Sequence, residues 1–454
     1  MHDPGKVRGK LVEPGILRVE VGGVPVYWAE GGQTIRATLA FRVGRADETL
    51  ASAGITRLVR HLALRAAGGR GEFTVGPTIS SFRWAGSPSQ VMGFLGAVTT
   101  ALAAGPSGED VVQARRGMAP GGPAGLVELA LGLRWGSRGP GLARHEEYGL
   151  TWVGPDEVNA WRERWFTAGN AVAWVGGPRL DGLELTLPEG PRQAVATLPP
   201  ARTSTPAQIH VTTDVAAVSL VHPPSPELSV ALAGTGGARQ SLNGEVVHTV
   251  LTASTGAELV ELLDALPAIR PVAAAPRWSE PPDPADLDRW CEGDLLGVRV
   301  ASRAERAMAE AWAVEATVAA AMADALHDAL YLLAPGDQLP EGRATDAASW
   351  TTPPVEGTAH PPTKHDRAHP NKRLVVEPTA ITLVLDSQRA VRLSLAGATS
   401  LRFSDGGRGL WSADGAYLDV HPADWEHGHD AVAAIDRAIP AARTVPLVSV
   451  RPQR

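Results

Sequence analysis

Cysteine is nearly missing from this chain: 454 residues contain only Cys291. A lone thiol excludes an intramolecular disulfide and suits a reducing compartment, so a cytoplasmic location is expected, with Cys291 acting as a small buried hydrophobe. Lysine is also scarce, confined to Lys6, Lys10, Lys364 and Lys372, whereas Ala, Gly, Pro and Arg abound. That is the mark of a GC-rich coding sequence, so arginine richness alone is not read as function. The net charge of −7 and a pI near 6.0 provide no basic field, so neither nucleic acid nor an anionic membrane surface is an expected partner. No apolar run reaches the roughly 18 residues of a membrane span. The longest candidate, residues 311–334, is interrupted by Glu315, Asp324, His327 and Asp328. No apolar core of a secretory signal precedes Ile16, so none is expected.

What is present points first to one helix. In Ala53 to Arg65 the residues Ile55, Leu58, Val59 and Leu62 fall at i, i+3, i+4 and i+7, an apolar stripe, while Arg57, Arg60 and His61 occupy the other face. Before it, residues 24–30 and 34–44 are β-rich, and 45–49 form a polar lead-in. After it, residues 71–76 and 78–85 predict strands, and 87–104 a helix with a stripe through Val91, Phe94, Leu95, Val98 and Leu102. Helical pieces follow at 107–117, 124–133 and 155–165, then a strand at 170–176. A strand-rich sheet covered by helices is an α+β layer. A proline-rich stretch, 188–206, reads as a linker.

The next strands are expected at 209–213, 217–221 and 246–253, with helices at 256–266 and through much of 284–333. The segment from Ala233 to Gly244 is glycine-rich, but it matches neither G-x-x-x-x-G-K-[ST] nor G-x-G-x-x-G and reads as a plain loop. Residues 336–372 shift to Pro, Thr, Asp and Gly, the composition of a flexible linker. His360, His365 and His369 lie there and are expected in solvent, because a mobile stretch supplies no groups to orient metal ligands. From 373 to 446, short alternating strands lead to an amphipathic helix that carries Ala431, Val432, Ile435 and Ile439 on one face. This segment resembles a small PH/GRAM-like barrel with a capping helix. No Lys/Arg cluster marks a phosphoinositide site, so protein docking is the expectation. His421, His427 and His429 are expected at the surface.

The organising helix and its surroundings resemble the insulinase/pitrilysin peptidases. In that family a strand ends in V-G-x-x-x-E, matched by Val43-Gly44 and Glu48, and G-[IL]-x-x-[LF]-x-x-H follows, matched from Gly54 to His61. A Tyr/Phe-x-x-x-Asn-Ala-x-x-x-x-x-Gly pattern closes the family's first half, and Phe166, Asn170, Ala171 and Gly177 match it. The five residues 57–61 alone equally describe an arginine-rich helix of any fold. The order and spacing of the flanking segments carry the resemblance. It implies two α+β halves, 15–198 and a shortened 207–335, each a mostly antiparallel sheet covered by helices. The linker 336–372 and the barrel 373–446 complete the chain.

The resemblance also implies a zinc site, H-x-x-E-H plus a distant Glu. Here the motif reads Arg57-Leu58-Val59-Arg60-His61, so the first ligand and the catalytic Glu are both Arg. The distant Glu belongs near Met118, Ala119 and Pro120, where no carboxylate stands, and Glu128 lies beyond a Pro/Gly break. Three ligands and an open position are needed for catalytic zinc. A degenerate site with no catalytic residue, metal or cofactor is therefore expected. Relatives also hold substrate with an Arg and a Tyr from the second half. Tyr occurs only at 27, 148, 331 and 417, which leaves Arg239 as a substitute for the Arg alone. Two functions follow as expectations: an inactive subunit paired with an active H-x-x-E-H peptidase for peptide or leader processing, or a scaffold that kept the fold. A metalloenzyme built on His61 would need ligands from elsewhere.

Overall fold

A computed structural model describes residues 9–31, 34–118, 125–145, 147–151, 153–178, 180–201, 205–211, 213–232, 235–268, 282–313, 315–346, 356–364, 371–385, 390–412 and 416–446. The first part contributes β1 (Lys10–Glu13), β2 (Ile16–Val21), β3 (Val24–Ala29), β4 (Ile35–Phe41), α1 (Ile55–Ala66), β5 (Glu72–Val75), β6 (Ser80–Gly86), α2 (Pro88–Ala104), α3 (Gly108–Gly117), α4 (Leu126–Trp135), α5 (Pro155–Trp165) and β7 (Ala171–Gly176). Its sheet runs β1-β2-β3-β7-β4-β6-β5. Every pairing is antiparallel except β3 with β7.

Alternation decides which residues of this sheet enter the core. Ile35, Ala37, Leu39 and Phe41 of β4 point to one face and pack with Leu58, Val59, Leu95 and Val98 from α1 and α2. The helix ends are satisfied locally: Ser87 and Gln90 form a reciprocal cap on α2, with Gln90 accepting from the Ser87 amide at 2.9 Å. Asn170, in the turn before β7, is fully buried, donating to the carbonyls of Arg42 (3.1 Å) and Trp165 (2.7 Å) and accepting from the Gln193 amide at 3.0 Å. That accounts physically for the Asn in the closing pattern.

The second part adds β8 (Ala207–His210), β9 (Ala216–His222), α6 (Pro226–Leu232), β10 (Ala238–Ser241), β11 (Val247–Ala253), α7 (Gly256–Ala265), α8 (Pro284–Leu296), α9 (Arg303–Trp312), α10 (Glu315–His327), β12 (Leu330–Leu333) and β13 (Thr345–Asp346). The sheet order is β10-β11-β9-β12-β8-β13. Helices α6, α7 and α10 cover one face with Leu228, Leu259 and Met322.

The two sheets exchange their remaining cover. Helix α8, from the second part, lays Leu287, Cys291 and Leu295 on Ile16, Tyr27, Val172 and Trp174 of the first sheet. Helix α4, from the first, packs Ala130 on Ala217, Val250 and Leu332 of the second. Polar contacts fix both. Asp294 of α8 accepts from the Tyr27 hydroxyl at 2.8 Å and from Arg18 at 3.3 Å. Arg134 of α4 is buried and donates to the Ser219 hydroxyl (2.8 Å), to the Ser219 carbonyl (2.6 Å) and to the Asp328 carbonyl.

The third part contains β14 (Thr358–His360), β15 (Arg373–Val376), β16 (Ala380–Val384), β17 (Ala390–Ser394), β18 (Thr399–Arg402), β19 (Arg408–Trp411), β20 (Tyr417–Val420), α11 (Gly428–Ala438) and β21 (Thr444–Pro446). The expected closed barrel is replaced by two four-stranded sheets, β14-β15-β16-β17 and β20-β19-β18-β21. No ladder joins them among the described residues. Their inner faces and α11 share one core, including Ile381, Leu393, Leu410, Trp425 and Ile435, so burial is complete without ring closure.

The stretch expected as a linker also departs from expectation, since it supplies β13 to the second sheet and β14 to the third. His360 is 3% exposed rather than solvated, and its Nδ1 hydrogen-bonds the Glu426 carbonyl at 3.1 Å. His365 and His369 lie outside the described residues. Among those residues no single helix is long and apolar enough to cross a membrane.

The exchange yields a stability prediction. Arg134→Ala leaves the Ser219 hydroxyl and two carbonyls without their buried donor and opens a void, at a cost of about 3 kcal/mol. The urea midpoint should fall accordingly. An unchanged midpoint would show that α4 is not held by this cation.

Candidate functional site on the first helix

Helix α1 begins at Gly54, whose φ of +93° suits glycine. Its two leading amides, Gly54 and Thr56, both donate to Glu48 at 2.9 Å. Glu48 is thus an N-terminal cap reaching back from the preceding loop, favoured by the positive helix end. Its carboxyl is buried. Burial pushes it up to about 7, with a small contribution from Glu147, against the downward pull of those hydrogen bonds. The V-G-x-x-x-E pattern contained this residue, but nothing in its spacing disclosed that the carboxylate turns inward to close the helix.

The three motif residues have different fates. Arg57 is half-buried and forms an ion pair with Glu147. Arg60 is fully buried, its guanidinium stacked between the rings of Phe73 (4.6 Å) and Phe82 (4.9 Å) and donating to the carbonyls of Thr74 and Ser81. Those carbonyls belong to one cross-strand pair of β5 and β6, so Arg60 ties α1 to the sheet margin. Burial lowers Arg60 to about 9, which keeps it protonated at neutral pH. His61 is half-buried. Its imidazole is held below its ordinary range by burial, then by the charges of Arg65 and Arg57.

These residues do not fit zinc. The five motif positions offer one donor, His61, beside two cations. Met118, where the distant Glu is expected, packs against the apolar core, while Ala119 and Pro120 lie outside the described residues. Glu128 stands in the first turn of α4, the helix that covers the second sheet. Among the described residues no group of three metal-binding side chains assembles anywhere. A guanidinium about 4 Å from a dication costs roughly 8 kcal/mol at an effective dielectric near 20. Arginine also cannot serve as the general base.

Arg239 stands elsewhere, on β10 at the edge of the second sheet. It is exposed, donates to the Ser229 hydroxyl at 2.7 Å, and is drawn toward Glu292 of α8. Of the segment 233–244, expected as a plain loop, residues 233 and 234 lie outside the described residues and Ala238–Ser241 form β10, drawn into a strand by pairing with β11. The surface histidines fall where expected: His421 pairs with Asp405 at 2.6 Å and stacks on Phe403, and His427 begins α11 at a φ of +53°.

One arrangement that the sequence does not signal is a Ser219–His248 pair, 2.8 Å apart, with Arg134 on the same hydroxyl. Both members are buried, and burial together with the Arg134 charge pushes His248 down to about 3. A dyad sealed from solvent beside a cation is packing for α4, not a nucleophile.

Glu48 supplies a second prediction. Its folded-state value near 7 lies above the ordinary 4.5, so the native state binds the proton more tightly than the unfolded one. The resulting stability is present below pH 4.5 and is lost as pH rises toward 7, a difference of about 3 kcal/mol. Glu48→Gln should flatten the fall in unfolding free energy between pH 5 and pH 8. An undiminished slope in the variant would assign the titration to another group.

No family model and no curated protein matches this chain. Solved structures do. A peptidase M16 inactive domain from Pseudomonas fluorescens is 11% identical with a TM-score of 0.50, over 70% of this chain and 97% of that one. The periplasmic protease PqqL from Escherichia coli is also 11% identical with a TM-score of 0.50, over 88% of this chain and 57% of that one. The helix, its flanking sheet, the closing asparagine turn and these likenesses together give the chain the insulinase-like fold of the M16 peptidases.

Proposed function

We propose that this chain is a catalytically inactive subunit of an insulinase-like peptidase assembly, paired with a chain that carries an intact H-x-x-E-H motif. The observation that carries the reading is Arg60. At the position of the catalytic Glu stands a cation buried between two phenyl rings and committed to two backbone carbonyls. It cannot turn toward a substrate without abandoning those carbonyls. One structural neighbour is itself described as an inactive domain of such a peptidase. In this role the chain completes a chamber around a peptide, such as a precursor's leader, while its partner holds the metal. In this reading Arg239 contributes a hydrogen-bond donor at the edge of the second sheet.

Isolation from the native cell tests this. The expected result is co-purification in equal amounts with an H-x-x-E-H chain, and peptide cleavage that depends on that partner's motif and is indifferent to His61→Ala in this chain. Recovery as a stable homomer without such a partner would instead favour a scaffold. Stoichiometric zinc in this chain, or cleavage abolished by His61→Ala, would overturn the inactive reading altogether.

A further inference from the structure

Helix α4 reaches over from the first half and covers one face of the second sheet, where Ala130 meets Ala217, Val250 and Leu332, and Leu131 and Trp135 meet Leu242. Within this apolar seat lies a polar group of three, Arg134, Ser219 and His248. In the β9–β11 ladder Ser219 stands opposite Val250 and His248 opposite Val221, so alternation turns all four toward α4. His222 of β9 and Thr249 of β11 point to the reverse face, where they bond each other at 3.0 Å.

The buried imidazole has a partner on each nitrogen. The Gln240 side-chain amide of β10 donates to His248 Nδ1 at 3.4 Å, which leaves the proton of the neutral ring on Nε2, donating to the Ser219 hydroxyl at 2.8 Å. That hydroxyl also accepts from Arg134 Nε at 2.8 Å. Burial, then the charges of Arg134 and of His222 behind the ladder, oppose a second proton and push His248 down to about 3. The other charged groups of the surrounding elements are engaged elsewhere. Glu128 folds toward Gly125 at the start of α4, Arg239 of β10 turns to the reverse face and donates to Ser229, Glu292 of α8 meets Ser241 on that face, and Asp328 sends its carboxylate to Thr205 at 2.8 Å. A proton on Nδ1 would therefore meet an amide donor and set a second buried cation beside Arg134, with no carboxylate among the described residues to pair with it.

We propose that the seat of α4 is an acid-released latch between the two halves: a proton taken up by His248 lifts α4 from the second sheet and uncovers the β9–β11 ladder. Once α4 is lifted the ring meets water and titrates near its ordinary 6.5. The lifted form then binds the proton more tightly than the seated one. Seating is thus fully favoured above pH 6.5, and the lifted population rises about tenfold for each pH unit below that, until the seated form itself titrates near 3. The latch rests on the exchange of α4 and is independent of the motif on α1 and of any pairing with an active subunit.

Amide hydrogen exchange of the full chain, read by mass spectrometry on peptides covering 126–135 and corrected for the intrinsic effect of pH on exchange, tests it. Protection of α4 is expected to be about thirtyfold lower at pH 5 than at pH 8, with α8 unchanged. His248→Gln keeps a hydrogen-bonding side chain without a titrating ring and should remove most of that difference. Should this variant fail to fold, Gln240→Glu supplies a carboxylate beside Nδ1 to pair with the protonated ring and should do the same. The proposal is overturned by equal protection of α4 at both pH values, by a loss that α8 shares to the same extent, or by an undiminished loss in the variant that folds.

Discussion

A single buried cation sets the character of this molecule. Removing a guanidinium from water is costly, and among the described residues no carboxylate pairs with Arg60 to neutralise it. The cost is offset by dipoles and faces: two carbonyl oxygens of a β5–β6 pair and two phenyl rings that present their negative π clouds. Such an arrangement is rigid, because any rotation of α1 separates the cation from all four partners at once. The consequence reaches both structure and chemistry. Helix α1 is pinned to the margin of its sheet, and its middle turn carries a group that repels metal ions and holds no basic lone pair.

Its neighbour on the same turn is stabilised differently. Arg57 is only half-buried and meets a carboxylate, Glu147, so its charge is neutralised directly. Glu147 in turn adds its charge to the environment of Glu48, whose carboxyl is already disfavoured by burial. The start of α1 is therefore a chain of coupled polar groups, Arg57 paired with Glu147, Glu147 opposing ionisation of Glu48, and Glu48 accepting from the helix amides. Altering the charge of one member changes the field at the next. The polar groups at the start of this helix serve one another.

Much of this was legible in the sequence, for a definite reason. The stripe of Ile55, Leu58, Val59 and Leu62 has the helical period, and the alternation in 34–44 has the strand period, so α1 and β4 follow from local pattern. The inversion of charge at Arg57 and Arg60 is equally visible in the motif itself. The destinations of α4 and α8 were not. An apolar stripe such as Leu287, Cys291 and Leu295 states that a face will be buried, but it carries no record of which sheet will bury it. The same limit explains His360: a segment of linker-like composition is drawn into a strand by pairing with β15, a contact between distant parts of the chain. It also explains the open C-terminal sheets, since alternation fixes an inner face without fixing whether the edges meet.

The exchange of α4 and α8 places the contacts that join the two halves away from α1. Each sheet receives part of its cover from the other half, and the polar anchors of that cover, Asp294 on Tyr27 and Arg134 on Ser219, lie on α8 and α4, away from α1. The contacts that join the two halves and the charged groups of α1 thus occupy separate regions of the structure. The charged groups of α1 are satisfied locally, the half-buried Arg57 by Glu147 and the buried Arg60 by two rings and two carbonyls. The two halves are held together through α4 and α8, whereas the charges of α1 are settled within the first half, by Glu147, Phe73, Phe82 and the β5–β6 carbonyls.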